Sequence, residues 1–221
     1  MLQARLKSLP VPQQTLWPEL AEVPKHFVLY GGTGLALRLG HRDSVDFDFF
    51  SSEPVSPEEL LQSLNLLEKA RIIQNVSHTL TVLLDRNGPV KLSFFGDVDL
   101  ARVGTPDITA DGVILVASLL DLAGTKAAVV AQRAEYKDYL DILALIDNGI
   151  TLRTAMAAAR SIYGDQYNAM LTAKSLTYFD DGDLHKLTKK QKDRLTHCAT
   201  GSWAELPDVP RLSDKVSPPA A

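Results

Sequence analysis

The 221-residue sequence contains a single cysteine, Cys198, which excludes an intramolecular disulfide and favours a reducing compartment. It also lacks a run of eighteen apolar residues and an apolar signal-peptide core, which predicts a cytoplasmic protein without a membrane span. Positive charge is not in excess, because the net charge is −4 and the pI is about 5.7. This balance argues against nucleic-acid binding through bulk charge but leaves room for an RNA end in a local basic groove.

The most informative motif is a pair of acids, Asp46 and Asp48, in the aromatic and β-branched segment 45–50 (VDFDFF). This composition predicts a strand, whose alternating side chains place both acids on one face. Their α-carbons are then roughly 6.5–7 Å apart, a separation that two carboxylates can close onto one divalent cation. Two adjacent carboxylates need such neutralisation, and Mg²⁺ binds one or two carboxylates together with substrate phosphates. An edge strand with solvated acids is the alternative interpretation.

A glycine-rich turn precedes these acids. The apolar run 26–30 ends in Gly31-Gly32-Thr33-Gly34, strong helix formers follow at 35–39, and Gly40 is suited to end the helix. Such glycines let the backbone approach a phosphate, and the helix N-terminus offers free N–H groups to an anion. The alternatives are a tight turn without a ligand and a dinucleotide fingerprint, in which Leu37 stands where the third glycine belongs.

A glycine pair followed about ten to thirteen residues later by D-x-D resembles the leading motif of the DNA polymerase β-like nucleotidyltransferase superfamily. The full segment 31–50 is similar to the AbiEii/AbiGii-type toxin branch of that superfamily. A second block resembles the same branch: a lysine on one helix, Lys126, and a K-D-x-x-D element on the next, residues 137–141. The resemblance spans roughly residues 25–147.

The resemblance implies an α/β (α+β) fold, with a polymerase β-like nucleotidyltransferase core around a mixed sheet and a helical C-terminal part. It implies transfer of a nucleoside monophosphate from a nucleoside triphosphate, with Mg²⁺ or Mn²⁺, to an unknown hydroxyl on RNA, such as a tRNA end, or on protein. It also implies a toxin-like role with a cognate antitoxin. The residues that it implies are, for catalysis, Asp46, Asp48, Lys126, Lys137, Asp138 and Asp141; for nucleotide binding, Gly31, Gly32, Thr33 and Arg42; and for the metal, Asp46 and Asp48.

One position departs from the superfamily pattern. A third carboxylate usually comes from a later strand, here 89–95, where Ser93 occupies its expected place, while Asp97 and Asp99 lie beyond the apolar run. Asp138 or Asp141 is an alternative source. Without a third acid, the protein could be a catalytically degenerate nucleotide-binding or partner-binding module. A structural alternative also exists for the second block, in which Asp138 or Asp141 pairs with Lys126, Arg133 or Arg42.

The remaining pattern predicts the order of the other elements. Ser56-Pro57 predicts a helix start, with the helix running to about residue 69. Two strands are expected at 72–84 and 90–95, joined by an Asn87-Gly88 hairpin, and helical spacing begins at Val116. The resulting organisation is a nucleotidyltransferase-like α/β core at 1–112, a helical part at 113–205 packed on the core, and a disordered tail at 206–221.

Overall fold

The computed structural model describes residues 1–201, 203 and 205–219, which form two structural units. The sheet unit comprises residues 1–100, 105–118 and 213–219, and the helical unit comprises residues 101–104 and 119–212. The sequence places the boundary between 112 and 113, whereas the sheet unit extends to residue 118, because 115–116 forms a strand in the sheet. Helical structure therefore begins at Leu119 rather than at Val116.

The sheet unit contains a mixed sheet and short helices. Its helices in the described residues are α1 (Val11–Leu16), α2 (Gly31–Leu39) and α3 (Pro57–Ser63). Its strands are β1 (Val28–Leu29), β2 (Asp46–Phe50), β3 (Arg71–Val76), β4 (Thr79–Asp85), β5 (Pro89–Phe95), β6 (Asp107–Ile108) and β7 (Leu115–Val116). The sheet order is β3-β4-β5-β2-β1-β7-β6, with parallel β2–β5 and β1–β7 pairs among antiparallel ones. The predicted mixed α/β fold is confirmed.

Strand β2 lies in the middle of the sheet, paired with β5 on one side and with β1 on the other. β2 is therefore an interior strand rather than the edge strand of the alternative interpretation, since it pairs with β5 from Asp46 to Phe50 and with β1 at Phe49 and Phe50. Phe47 and Phe49 are fully buried on the opposite face, and Phe49 stacks on Phe94 of β5 with ring centroids 5.5 Å apart. Burying each ring contributes roughly 1.5–3 kcal/mol, which fixes the face on which the acids lie.

The segment predicted as one strand at 72–84 is two strands, β3 and β4. They are separated by a turn at 77–78, where His78 adopts a positive φ of 57° and reverses the chain. The predicted hairpin after β4 is confirmed, with Asn87 at φ 62° and Gly88 at φ 141° between β4 and β5. Ser56 also caps α3 as predicted, by accepting a hydrogen bond from the Glu59 N–H, although that helix ends at Ser63.

The described part of the C-terminal segment returns to the sheet unit. Val216 is fully buried, and the Ser217 hydroxyl donates to the His26 carbonyl at 2.8 Å and accepts from the Ser52 N–H at 2.9 Å. Residues 213–219 therefore differ from the disordered tail that the sequence predicts, because the Val216 side chain is buried and the Ser217 hydroxyl is hydrogen-bonded to the sheet unit. Residues 220 and 221 of that predicted tail lie outside the described residues.

The helical unit contains five α-helices in its described residues: α4 (Leu119–Val129), α5 (Tyr136–Asp147), α6 (Leu152–Tyr163), α7 (Ala169–Ser175) and α8 (Lys189–Ala199). Helices α4 and α6 approach closely at Gly124, where an added Cβ would lie 2.8 Å from Ile162 Cδ1 and 2.9 Å from the Ala159 backbone nitrogen. Within the described residues, no single helix has the length and apolar composition of a membrane span. Tyr136–Asp147 and Leu152–Gln166 meet that test only together, and they are bent by 114°.

The close approach of α4 and α6 generates a stability prediction. We expect Gly124→Ala to lower the free energy of unfolding by about 1–3 kcal/mol, since the new methyl group meets backbone atoms of α6 that cannot rotate away. The neighbouring Thr125→Ala, on the half-buried side of the same helix, should change it by less than about 1 kcal/mol. Urea unfolding followed by circular dichroism measures both variants. A Gly124→Ala protein as stable as the parent would contradict the tight crossing.

Candidate functional site

A buried hydroxyl joins α2 to β2 in the sheet unit. The Thr33 side chain is 1% exposed, and its Oγ1 donates to the Asp46 carbonyl and lies 2.8 Å from Ser44 Oγ. Thr33 therefore holds the first turn of α2 against the start of β2. Its hydroxyl is engaged inside the fold, and the nucleotide-binding role of the Gly31-Gly32-Thr33 turn stays a prediction.

Asp48 lies against the first glycine of α2. A Cβ added to Gly31 would come within 3.1 Å of Asp48 Oδ2, and the φ of Gly31 is +70°. Both observations require glycine at this position, since other residues are strained at positive φ and would crowd the carboxylate. The Tyr30 N–H also donates to the Asp48 carbonyl at 3.0 Å. The predicted glycines and the second acid of the D-x-D pair are thus brought together.

Asp46 and Asp48 face the same side of β2, as the alternation predicts. In the parallel pair with β5, Asp46 is in register with Lys91 and Asp48 with Ser93. The Lys91 ammonium is 3.1 Å from Asp46 Oδ2, and both side chains are partly exposed, at 41% and 33%. Ser93 is buried beside Asp48. This face of the sheet therefore presents two carboxylates, one ammonium and one neutral hydroxyl.

Arg42 lies over Gly32, the second glycine of α2. Its Nη2 would be 2.5 Å from a Cβ on Gly32, so the guanidinium reaches the helix N-terminus, as the sequence prediction requires of a nucleotide-binding group. Arg42 also lines an open cleft of about 730 Å³ in the sheet unit. Basic side chains outnumber acidic ones on its walls, which comprise Ala4, Arg5, Leu6, Lys7, Ser8, Gly40, His41, Arg42 and Asp43.

A third carboxylate does not join the pair. Asp97 and Asp99 are exposed beyond the end of β5, and Asp138 and Asp141 are paired within the helical unit. Among the residues that the structure describes, no three His, Cys, Asp or Glu side chains form a group able to hold a metal ion. At the acid pair, the two carboxylates of β2 are the predicted protein ligands for a divalent cation. Oxygen donors of this kind suit Mg²⁺, which takes few carboxylates and fills its shell with phosphate and water.

The second sequence block forms a buried ion cluster inside the helical unit. The Lys126 ammonium of α4 is 2.7 Å from Asp138 Oδ1 and 2.6 Å from Asp141 Oδ2 of α5, and all three side chains are almost fully buried. Arg133 adds a third cationic contact, with its Nε 2.7 Å from Asp138 Oδ2. These contacts support the structural alternative for the block, in which the acids pair with Lys126 and Arg133 and hold α4 and α5 together.

The cluster determines the protonation of Asp138. Burial alone would raise the pKa of Asp138, but the hydrogen bond from Arg133 and the charge of Lys126 hold that pKa below its ordinary value of 3.8. Asp138 is therefore an anion at neutral pH and acts as a hydrogen-bond acceptor. Lys137 does not belong to the cluster. It is half exposed, and its ammonium is 3.1 Å from Glu135 Oε2.

Two contributors to these sites were not identified from the sequence. Lys91 lies beside Asp46 only because β5 pairs in parallel with β2, and that register is not visible in the sequence. Its alternation with Ser93 within the strand was the available signal. Ser44, whose hydroxyl lies 2.8 Å from that of Thr33, has no distinguishing sequence context. Both residues are positioned by contacts distant in sequence rather than by a motif.

The sequence matches the nucleotidyl transferase AbiEii toxin family, of type IV toxin–antitoxin systems, over residues 18–200. An uncharacterised protein of Aquifex aeolicus (strain VF5) is 33% identical over 158 residues, which cover 70% of this chain and 74% of that protein. The family match includes both sequence blocks, the acid pair of the sheet unit and the ion cluster of the helical unit.

A solved structure has a similar fold. The nucleotidyltransferase toxin MenT4 of Mycobacterium tuberculosis H37Rv superimposes with a TM-score of 0.58 and 15% sequence identity, over 88% of this chain and 81% of that one. Because the identity is low, this similarity shows the fold alone. The fold is that of a nucleotidyltransferase.

The buried cluster predicts unequal roles for two lysines. Lys126→Met should lower the free energy of unfolding by about 3–5 kcal/mol, since it leaves two buried carboxylates with less compensating charge. The matched Lys137→Met should change it by less than about 0.5 kcal/mol, because that pair is exposed to solvent. Chemical denaturation of the full chain measures both. Equal effects of the two substitutions would contradict the structural role of Lys126.

Proposed function

The chain belongs to the AbiEii nucleotidyltransferase toxin family, and from this premise we propose that it transfers a nucleoside monophosphate from a nucleoside triphosphate to a hydroxyl acceptor, using Mg²⁺ or Mn²⁺. One observation carries the proposal: the Asp48 carboxylate lies against Gly31, at the N-terminus of α2, with Asp46 on the same strand face. A phosphate at this helix end would lie next to a carboxylate able to share its cation.

The start of α2 supports triphosphate binding through its backbone. Tyr30 at the N-cap makes no side-chain capping hydrogen bond, so the N–H groups of the first turn are not capped by it. Gly31 and Gly32 place no side chain of their own at this end, which leaves space for the Arg42 guanidinium next to Gly32. Backbone donors, the helix dipole and one guanidinium together favour an anionic ligand.

The proposed reaction moves one nucleotidyl group. The acceptor hydroxyl oxygen forms a bond to the α-phosphorus, the bond from that phosphorus to the bridging oxygen breaks, and pyrophosphate leaves with the bonding electrons. A bound divalent cation would polarise the α-phosphate and stabilise negative charge on the leaving group. Asp46 and Asp48 supply its protein ligands, and the first turn of α2 orients the phosphates. Ser93 cannot accept the hydroxyl proton as a carboxylate would, so that proton passes to solvent in this scheme.

The basic cleft favours RNA over protein as the acceptor. Arg5, Lys7, His41 and Arg42 line it, against the single acid Asp43. The cleft is lined by Gly40 at the C-cap of α2, and the Arg42 side chain reaches from the cleft to Gly32, at the end of α2 where the triphosphate is proposed to bind. A phosphate backbone in this cleft would meet cationic side chains, and an RNA end would bring its hydroxyl towards the nucleotide.

A second candidate function rests on Ser93. Ser93 stands where the resemblance implies an acid, so the chain could bind nucleotide and cation without turnover and act as a sensing or partner-binding module. The catalytic roles implied for Lys126, Lys137, Asp138 and Asp141 stay predictions, as do the cognate antitoxin and the cytoplasmic location. The two β2 acids and Gly31 support nucleotide binding under either function.

Label transfer tests catalysis directly. Incubation with α-labelled nucleoside triphosphates, Mg²⁺ and a pool of cellular RNA and protein should move label into the RNA fraction. Asp48→Ala should lower the rate by about a hundredfold or more, because metal assistance supplies several kcal/mol of transition-state stabilisation. Glu68→Gln, an exposed acid between α3 and β3, is the control and should retain the parent rate. Label in protein alone would overturn the RNA assignment, and Mg²⁺-dependent binding without transfer would favour the binding module.

Calorimetry tests the nucleotide site independently of turnover. Titration with the four common triphosphates should show binding that weakens at least tenfold when Mg²⁺ is omitted. The double variant Asp46→Asn, Asp48→Asn should weaken Mg²⁺-dependent binding at least as much, since neutral amides replace both carboxylate ligands. The Glu68→Gln protein should bind like the parent. If the double variant bound as tightly as the parent, the nucleotide and its cation would have to lie elsewhere.

A further inference from the structure

The Lys91 ammonium holds a specific place on the face that carries the acids. Parallel pairing of β5 with β2 sets Lys91 opposite Asp46 and Ser93 opposite Asp48, and paired residues project to the same face. The contacts of the neighbouring aromatic pair agree, since Phe50 and Phe95 meet edge to face on that side with centroids 5.2 Å apart. Lys91 is therefore directed towards the acids by the sheet register rather than by a flexible loop.

The contact of Lys91 is with one carboxylate oxygen. Its Nζ is 3.1 Å from Asp46 Oδ2. In sites with two cations about 3.5–4 Å apart, carboxylates act as shared ligands between the two ions. At Asp46 an ammonium already stands beside one of the two oxygens, and a divalent cation there would be repelled by the adjacent positive charge.

Strand β5 departs from the superfamily pattern at one position of this face and carries a cation at another. Strand β5 offers a neutral hydroxyl at Ser93, where a third carboxylate is expected, and offers a cation two residues earlier on the same face. Next to the acid pair, the Lys91 ammonium contacts Asp46 from β5, and the Arg42 guanidinium lies at Gly32 on the α2 side. The ammonium occupies a position at Asp46 Oδ2 that a second divalent cation would need, so the two carboxylates suit one divalent cation alongside a triphosphate better than two.

We propose that the Lys91 ammonium takes the place of one of two divalent cations, so that the site binds a single divalent cation through Asp48 and Asp46. Lys91 is then a positioning residue: it fixes Asp46, supplies permanent positive charge beside the nucleotide, and limits the metal stoichiometry to one. This inference rests on the proposed nucleotidyltransferase function and deepens it, since it assigns the cation number of the same site.

Metal counting tests the inference without measuring activity. The full-length protein is saturated with a non-hydrolysable triphosphate analogue and titrated with Mn²⁺, and bound Mn²⁺ is counted from the electron paramagnetic resonance signal of the free ion. The parent should bind one Mn²⁺ per chain. Lys91→Met, which keeps a long side chain and removes its charge, should bind two Mn²⁺. Adding Ser93→Asp to this variant should tighten binding of the second Mn²⁺ at least tenfold.

The controls separate the possible failures. Lys189→Met, an exposed lysine of the helical unit, should keep one Mn²⁺, and circular dichroism verifies that every variant is folded. Two Mn²⁺ in the parent, or one in both the parent and a folded Lys91→Met variant, would overturn the role of Lys91 while the proposed function stands. A parent that bound neither analogue nor Mn²⁺ would overturn the proposed function together with this inference.

Discussion

Burial of Phe47 and Phe49 is the constraint on which the geometry of the candidate site depends. Both rings are fully buried on one face of β2, so the intervening strand geometry leaves Asp46 and Asp48 on the other. A shift of one residue in register would bury both acids and expose both rings, which hydrophobic burial opposes strongly. Thr33 then joins α2 to the same strand, so the helix end that could receive phosphate is held against the acids by the core that orients them.

Local chemistry allowed much of this arrangement to be predicted from the sequence. The alternation in 45–50 predicted the strand and its faces, Gly40 ends α2 in the left-handed conformation, and Asn87-Gly88 forms the hairpin. The pairing of segments that are distant in sequence could not be predicted. Strand β7 has two residues, too few for a period to be seen, and the turn at His78 has no glycine or proline to mark it. The contacts of Lys91 and of the 213–219 segment likewise depend on partners far away in sequence.

In the helical unit, a sequence motif identified the important residues but did not show what they do. Lys126, Asp138 and Asp141 were singled out by their resemblance to a family pattern, and the structure brings all three into one buried cluster. Desolvating such charges is expensive, and close geometry with Arg133 offsets that expense. Family patterns mark residues whose replacement is harmful, and a buried ion cluster is harmful to break whether or not it touches substrate. The pattern alone therefore could not separate a structural role from a catalytic one, whereas the contacts support the structural one.

Charge compensation at the acid pair also reduces the repulsion between the two carboxylates when no ligand is bound. Two adjacent carboxylates repel each other, but Lys91 offsets Asp46, and Asp48 lies next to the positive end of the α2 dipole. Neither acid thus depends on a bound cation for the strand to form, unlike metal sites in which binding and folding are one event. The sheet around β2 is instead stabilised by its aromatic core. Ligand affinity can therefore change through residues such as Lys91 and Ser93 with little effect on the fold, and active and degenerate forms of the site can share one architecture.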